Sequence, residues 1–429
     1  MKILQVANND FFSTYGGGQV YVKNLVDEMI NQGLDVIVIS KTSVNNQTEE
    51  VVLKKYRGIS MYEFSKFDKD LLKEKIRQIN PDILHVHADK ALLSEICKEL
   101  SIPCVITAHH GGITCPAGTL LNYQDEICRV AACQKNCLSC VLKGIRAGYL
   151  FYPILSKLPV SWRLATGRFL RRLPFIYFVT PVGISSLIIE NKQAEWNKIC
   201  QNVDLMIAPS HAIAENMILN GLKASKIKIV PHGIPINSIK NNTFVPDMHN
   251  HTIDTIKFFY VGRIGYIKGI HILLEAFAKL KTEVCELHVI GDIKNRYAKK
   301  LIEKYSRNKN IVFHGKVAPE VVALKIKEYD ILIHPTICME IFGLNIAEAL
   351  AEGKPVIATR CGGAEMQIKE SENGLLIAPN SVEELLHAMD WAINHPEDIN
   401  RMSKNAPLGV ISMSEHVKTI EKIYHNLVK

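Results

Sequence analysis

Glu340 and Glu348 stand eight positions apart around a Phe342-Gly343 turn. The residues after that turn, Leu344, Asn345, Ile346 and Ala347, read as the start of a helix. A helix start offers free backbone N–H groups and the positive end of a dipole, which suits a phosphate. A carboxylate on each side can accept hydrogen bonds from sugar hydroxyls, so the segment is a pocket suited to a nucleotide sugar. Some 70 residues upstream lies Gly262-Arg263-Ile264-Gly265-Tyr266-Ile267-Lys268-Gly269. Arg263 and Lys268 are five apart across a turn and can reach one ligand. A diphosphate leaving group gains negative charge as a glycosidic bond breaks, and fixed cations stabilise that charge without a metal. Either motif alone would be commonplace on a protein surface. Their occurrence together, in this order, points to ligand chemistry.

The N-terminal half holds weaker candidates. Gly16, Gly17 and Gly18 precede a helix, where a glycine turn lets backbone approach a ligand closely. A tight strand-to-helix turn explains the same residues. Val105-Ile106-Thr107-Ala108 reads as a strand end that delivers His109, with His110 directly behind it. Ser210 and His232 follow other strand ends. Cys115, Cys128, Cys133, Cys137 and Cys140 fall within 26 positions. Cys137 and Cys140 have metal-ligand spacing, and Cys128 and Cys133 complete the tetrahedral thiolate set of a structural Zn site. Disulfides and buried free thiols are the alternatives.

These residues need a scaffold of a particular kind. At 429 residues the chain is too long for one core, so two domains are expected. Short apolar runs at 3–7, 36–39, 82–87, 104–107, 205–208 and 227–230 alternate with amphipathic stretches. One such stretch, 19–31, carries Val22, Leu25, Val26, Met29 and Ile30 on one stripe. A polar, irregular segment at 237–255 reads as a linker. A second series follows at 257–262, 287–290, 311–314, 331–334, 355–359 and 375–377. Bounded apolar strands between helices predict parallel sheets covered on both faces. The expected class is α/β with two doubly wound domains, 1–240 and 256–410, and a helix at 411–429 returning toward the first. The ligand cleft of such folds lies at the carboxyl ends of the strands.

Composition narrows the setting. The chain is 47% hydrophobic and 22% charged, with a net charge of +8 and no 18-residue apolar run. No basic-then-apolar leader opens it, so a cytoplasmic protein with reduced thiols is expected. Between the Cys-rich loop at 111–140 and residue 189, the segment 141–189 contains no Asp or Glu. It carries seven Lys and Arg residues interleaved with eight aromatics, and four prolines break it into short helices. Such a surface suits the headgroup region of an anionic membrane, on the inner face of the cell membrane; a solvated helical insertion is the competing reading. No nucleic-acid partner is expected.

The Glu340–Glu348 segment resembles the E-x7-E motif of retaining GT-B glycosyltransferases, glycosyltransferase family 4 in particular. The 262–269 segment resembles that family's G-R-x-x-x-x-K-G motif. The resemblance runs over most of the chain and is strongest at 258–379. It implies a GT-B fold and transfer of a sugar, with retention, from a nucleotide diphosphate sugar, a UDP- or GDP-sugar, with no cofactor or catalytic metal. The acceptor would be a hydroxyl on a lipid-linked glycan or a lipopolysaccharide-like surface polysaccharide precursor. It further implies that Arg263 and Lys268 bind the diphosphate and that Glu340 touches the transferred sugar. Phe342, Gly343, Leu344 and Asn345 would contact diphosphate or sugar, and Glu348 the ribose hydroxyls. Val317 would line the base, Gly17 and Gly18 would lie near donor phosphate and acceptor, and His109 would face sugar or acceptor. A nucleotide-sugar epimerase and a non-catalytic subunit of a polysaccharide-assembly complex are the alternative functions.

Overall fold

The computed structural model describes residues 1–7, 11, 16–42, 50–145, 148–172, 180–235, 255–281 and 284–428. The expected linker at 237–255 therefore lies outside the described residues, Thr255 excepted. The chain forms two compact units. The first comprises Met1–Gln124, Cys128–Pro231 and Met413–Lys429; the second comprises Asp125–Ile127 and His232–Ser412.

The first unit holds an eight-stranded sheet. Its strands are β1 (Lys2–Val6), β2 (Asp35–Lys41), β3 (Val51–Tyr56), β4 (Ile59–Phe64), β5 (Ile83–Val86), β6 (Cys104–Thr107), β7 (Leu205–Ala208) and β8 (Ile227–Ile229), in the order β3-β4-β2-β1-β5-β6-β7-β8. All pairings are parallel except β3 with β4. Every residue of β5 and β6 is buried, as continuous apolar runs between helices require. The helix Gly17–Asn31 buries Tyr21, Val22, Leu25, Val26 and Met29. The helix Met413–Val428 packs beside it and buries Val417, Ile420, Ile423 and Tyr424.

The β3–β4 hairpin is absent from the sequence reading. Its turn, Arg57-Gly58, has positive φ at both residues (47° and 90°), the conformation that two-residue hairpins require. Leu53, Lys54 and Lys55 of β3 are all exposed, so the strand lacks the alternation that marks a half-buried strand.

The second unit holds six parallel strands: β9 (Ile256–Val261), β10 (Cys285–Ile290), β11 (Ile311–Gly315), β12 (Ile331–His334), β13 (Val356–Thr359) and β14 (Gly374–Ile377). Their order is β11-β10-β9-β12-β13-β14. Phe258, Phe259, Ile331, Leu332, Ile346 and Val356 are fully buried around the two central strands. Because β9 and β12 are neighbours, the loop after β9 and the loop after β12 emerge side by side. Those loops carry Arg263, Lys268 and Glu340.

Candidate active site

In the second unit, backbone geometry fixes Glu340 first. Its N–H donates to the Cys361 carbonyl at 2.7 Å, and Gly363 N–H donates to the Glu340 carbonyl at 2.9 Å. The carboxylate meets Lys268 Nζ at 2.5 Å, and His334 Nε2 lies 3.4 Å from the same oxygen. Burial alone would raise the Glu340 pKa, but the Lys268 charge, with help from His334, overrides it and holds the carboxyl well below the carboxylate range. Burial likewise opposes the Lys268 charge, and Glu340 more than offsets it.

Asn345 completes the arrangement. Its Nδ2 donates to the Val261 carbonyl at 3.0 Å and lies 3.2 Å from His334 Nδ1. An amide nitrogen can only donate, so His334 Nδ1 accepts and its proton sits on Nε2, toward Glu340. His334 was not assigned a role from the sequence. It ends a buried strand, and its link to Glu340 depends on tertiary approach.

Gly343 caps the helix Leu344–Ala351 with left-handed backbone (φ 85°, ψ 72°). The Phe342 carbonyl accepts from Gln367 Nε2. A Cβ at Gly363 would stand 2.5 Å from Phe342 backbone, so the turn and the following loop touch through a glycine. Glu348 is half-buried on the first turns of the helix, and desolvation pushes its carboxyl up to about 7. Arg263 is exposed just past β9, its carbonyl accepting from Tyr260 OH at 2.8 Å. Arg263 and Glu340 both act electrostatically on Tyr260 and Cys338. Val317 is half-buried against a core cluster that contains Phe259 and Ile346. The Phe342 ring meets His232 edge-on at 5.3 Å. The structure thus pairs Lys268 with Glu340 directly and brings His334, which Asn345 contacts, to 3.4 Å from the same carboxylate, with Phe342, Gly343, Leu344 and Glu348 on the adjoining turn and helix.

In the first unit, Gly17 and Gly18 begin the helix Gly17–Asn31 after Gly16, whose φ is 100°. A Cβ at Gly18 would lie 3.2 Å from His109 Cβ, so glycine turn and histidine are in contact. His110 points to solvent, and burial of part of its ring lowers its pKa to about 4. Ser210 is buried at the start of the helix His211–Leu219.

The expected Zn site is corrected by the structure. Among the described residues, no group of three or more His, Cys, Asp or Glu side chains is placed to hold a metal. The thiols have other duties. Cys133 Sγ accepts from Asn136 N–H at 3.4 Å and caps the helix Gln134–Lys143. Cys128 and Cys140 face the Val130 and Asn136 carbonyls, and Cys137 is buried, its thiol pushed up to about 12 by desolvation. All are free cysteines.

Two parallel-sheet α/β units, the second carrying a Lys–Glu pair at a glycine-capped helix start, define the glycosyltransferase GT-B fold. Residues 245–408 match the family model described as Glycosyl transferases group 1, and residues 15–129 match Glycosyltransferase Family 4. The chain belongs to the group 1 glycosyltransferases of family 4.

Similar proteins include an uncharacterized glycosyltransferase of Methanocaldococcus jannaschii, 27% identical over 54% of this chain and 60% of its own length. The D-rhamnosyltransferase WbpZ of Pseudomonas aeruginosa is 30% identical over 35% of this chain and 39% of its own. The lipopolysaccharide 1,2-N-acetylglucosaminetransferase of Salmonella typhimurium is 28% identical over 41% of this chain and 50% of its own. The matched segments thus span less than two thirds of these relatives. Among solved structures, sucrose-phosphate synthase from Thermosynechococcus elongatus aligns with TM-score 0.69 at 17% identity, covering 100% of this chain and 99% of its own. Anabaena HepE in complex with UDP and glucose aligns with TM-score 0.65 at 18% identity, covering all of both chains.

Proposed function

We propose that this protein transfers a sugar, with retention, from a UDP- or GDP-sugar to a hydroxyl of a lipid-linked glycan or surface-polysaccharide precursor. The bond from the anomeric carbon to the β-phosphate oxygen breaks, the acceptor oxygen bonds to that carbon, and the acceptor proton leaves with the nucleoside diphosphate. The Lys268–Glu340 pair beside the Gly343-capped helix carries the reading. It sets a cation where diphosphate charge develops and a carboxylate where sugar hydroxyls would sit, without a metal. In this reading Arg263 assists at the diphosphate. Asn345 holds the pocket wall, Phe342, Gly343 and Leu344 offer backbone to diphosphate or sugar, and Glu348 takes the ribose. Val317 lines the base; Gly17, Gly18 and His109 serve the donor phosphate and acceptor side. UDP in the HepE structure and the lipopolysaccharide and rhamnosyl relatives favour this donor and acceptor class. A thermal-shift screen with UDP, GDP, CDP, ADP and their sugar conjugates, without added metal, tests it. One nucleotide family should raise the melting temperature; no shift with any of them sinks the donor reading.

The acceptor side of the proposal rests on the segment 141–189. Among the described residues, eight of the 21 exposed large hydrophobics fall between positions 149 and 169. In the helix Val160–Arg171, Arg163, Gly167 and Leu170 face inward, while Trp162 (67% exposed) and Phe169 (64%) stand one heptad apart on the open side. Leu150 and Ile154, in the segment before this helix, are exposed as well, as are Lys157, Arg171 and Arg172. Arg146, Phe175, Tyr177 and Phe178 of the expected patch lie outside the described residues. An apolar stripe flanked by cations fits the headgroup layer of an anionic membrane, so the protein acts as a peripheral enzyme on the cytoplasmic face. Among the described residues no helix is long and apolar enough to cross a membrane. The protein is expected to float with anionic vesicles and not with neutral ones, and the Trp162→Glu/Phe169→Glu double variant to stay at the bottom of the gradient while still binding nucleotide. Flotation of the double variant like the parent removes the membrane surface and leaves the transferase reading intact.

A further inference from the structure

We infer that Arg163 anchors a phosphate-binding site on the inner side of the helix Val160–Arg171, which takes the phosphate of a lipid or of a soluble phosphate ester. The site deepens the acceptor side of the proposed function and rests on the membrane surface proposed for this helix. Arg163 is 7% exposed, although arginine is almost never buried without a partner. Two of its three guanidinium nitrogens, Nε and Nη1, are shut off from solvent, and among the described residues no hydrogen-bond acceptor meets either.

The surrounding sequence supplies no counter-charge. The segment 141–189 contains no Asp or Glu. The helix Ser185–Asn202 packs against Val160–Arg171 and carries two carboxylates, both engaged elsewhere. Glu190 accepts from Arg168 Nη2 at 3.1 Å, and Glu195 accepts from Lys192 Nζ at 2.7 Å. Nor can the helix roll to bring Arg163 to water. One turn on, a Cβ at Gly167 would stand 2.9 Å from the Gly183 carbonyl oxygen and 3.0 Å from Leu187 Cγ, so the inward stripe of Arg163, Gly167 and Leu170 is pressed onto its neighbours. Burial draws the guanidinium pKa down, but arginine stays charged in a protein. A charge withdrawn from water without a counter-charge costs stability, and an anion from outside the chain removes that cost.

Phosphate fits this position. The planar guanidinium donates to two oxygens of one phosphate. Helical side chains lean toward the N-terminus, so Arg163 points back along the first turn. Pro159 gives that turn no side-chain cap, and its N–H groups also suit an anion. Val160 and Trp162, on the same turn, are exposed apolar residues, which suits a phosphate carried on an apolar body.

The full-length protein can be tested without a membrane, with dihexanoyl phosphatidate kept monomeric as the probe. In scanning fluorimetry without ligand, Arg163→Met should melt with or above the parent, because an unpaired charge is replaced by an apolar chain. A guanidinium held by partners within the fold gives the opposite, so clearly earlier melting of Arg163→Met overturns the inference. Phosphatidate should raise the melting temperature of the parent and bind Arg163→Met about 10- to 100-fold more weakly, the loss expected when charge-assisted hydrogen bonds are removed. Arg163→Lys, a point charge without the fork, should fall between them. No phosphatidate shift in the parent, equal binding to Arg163→Met, or an equal shift with dihexanoyl phosphatidylcholine also overturns it. Inorganic phosphate separates the two sources: weaker binding than phosphatidate assigns the site to a lipid, and equal binding assigns it to a soluble phosphate ester. Phosphatidate binding by a parent that does not float with vesicles leaves the phosphate site standing and counts against the membrane surface instead.

Discussion

Lys268→Ala is expected to lower kcat/KM by about 100- to 1,000-fold, the usual loss when one preorganised group facing developing charge is removed, and to melt earlier than the parent. The second effect is the diagnostic one. A lysine that served ligand alone would be lost at constant stability. Lys268 instead compensates a carboxylate that is itself largely buried, with side-chain exposures of 24% for Lys268 and 15% for Glu340. Breaking a fully buried pair from one side costs about 3–5 kcal/mol, and residual solvent access reduces that here to about 1–3 kcal/mol. Glu340 cannot swing away to find water, because its backbone is pinned to Cys361 and Gly363 on either side. The double variant Lys268→Ala/Glu340→Gln removes the charge along with its partner. It should recover most of the melting temperature and none of the turnover. Scanning fluorimetry and an initial-rate assay on the three proteins separate the two roles. Parent-like melting of Lys268→Ala, or measurable turnover in the double variant, contradicts the arrangement argued here.

Lys268, Glu340, Gly343 and Glu348 were legible in the sequence because their requirement is local: a glycine turn, a helix start and charges a few residues apart. The parallel strands were legible too, since a strand covered on both faces must be apolar along its length. What escaped was set by contacts between segments far apart in the chain. His334 matters because Asn345, eleven positions on, fixes its tautomer. The hydrogen bond between Gln5 and Tyr424 spans 419 positions, and neither residue shows a pattern until the C-terminal helix lies beside β1. A weak signal was available for the buried polar residues Gln5, His85 and His87: they interrupt or abut runs that are otherwise apolar. The cysteine spacing misled for the converse reason. Cys137 and Cys140 have ligand spacing in the sequence, but they fall on a helix whose start is capped by Cys133, and the helix turns Cys137 inward. Cys137 and Cys140 lie one turn apart on that helix and near Cys115 and Cys128, yet among the described residues these thiols form no group placed to hold a metal.

Gly269→Ala is expected to damage the second unit about as much as emptying a core position, although residue 269 sits in a loop. Two costs add. The backbone at 269 has φ of 66°, which a Cβ makes unfavourable by about 1 kcal/mol. The new methyl would also stand 1.7 Å from the Pro335 carbonyl oxygen, a distance no side-chain motion can relieve, because both partners are backbone. The loop after β9 or the end of β12 must move apart, and a total of about 3–5 kcal/mol is expected. That movement would carry Lys268, the preceding residue, away from Glu340, so whatever protein survives should also lose its nucleotide-induced thermal shift. Gly265→Ala, four residues earlier, is the control. Gly265 has extended backbone and open space around it, so alanine there should change stability by less than about 0.5 kcal/mol. If Gly269→Ala melts like the parent, the close approach of the two loops is wrong, and with it the account of how Lys268 is placed. If the two variants separate as expected, the glycine after Lys268 is required for steric reasons by the neighbouring strand end, and the donor site depends on β9 and β12 lying side by side as much as on the charges they carry.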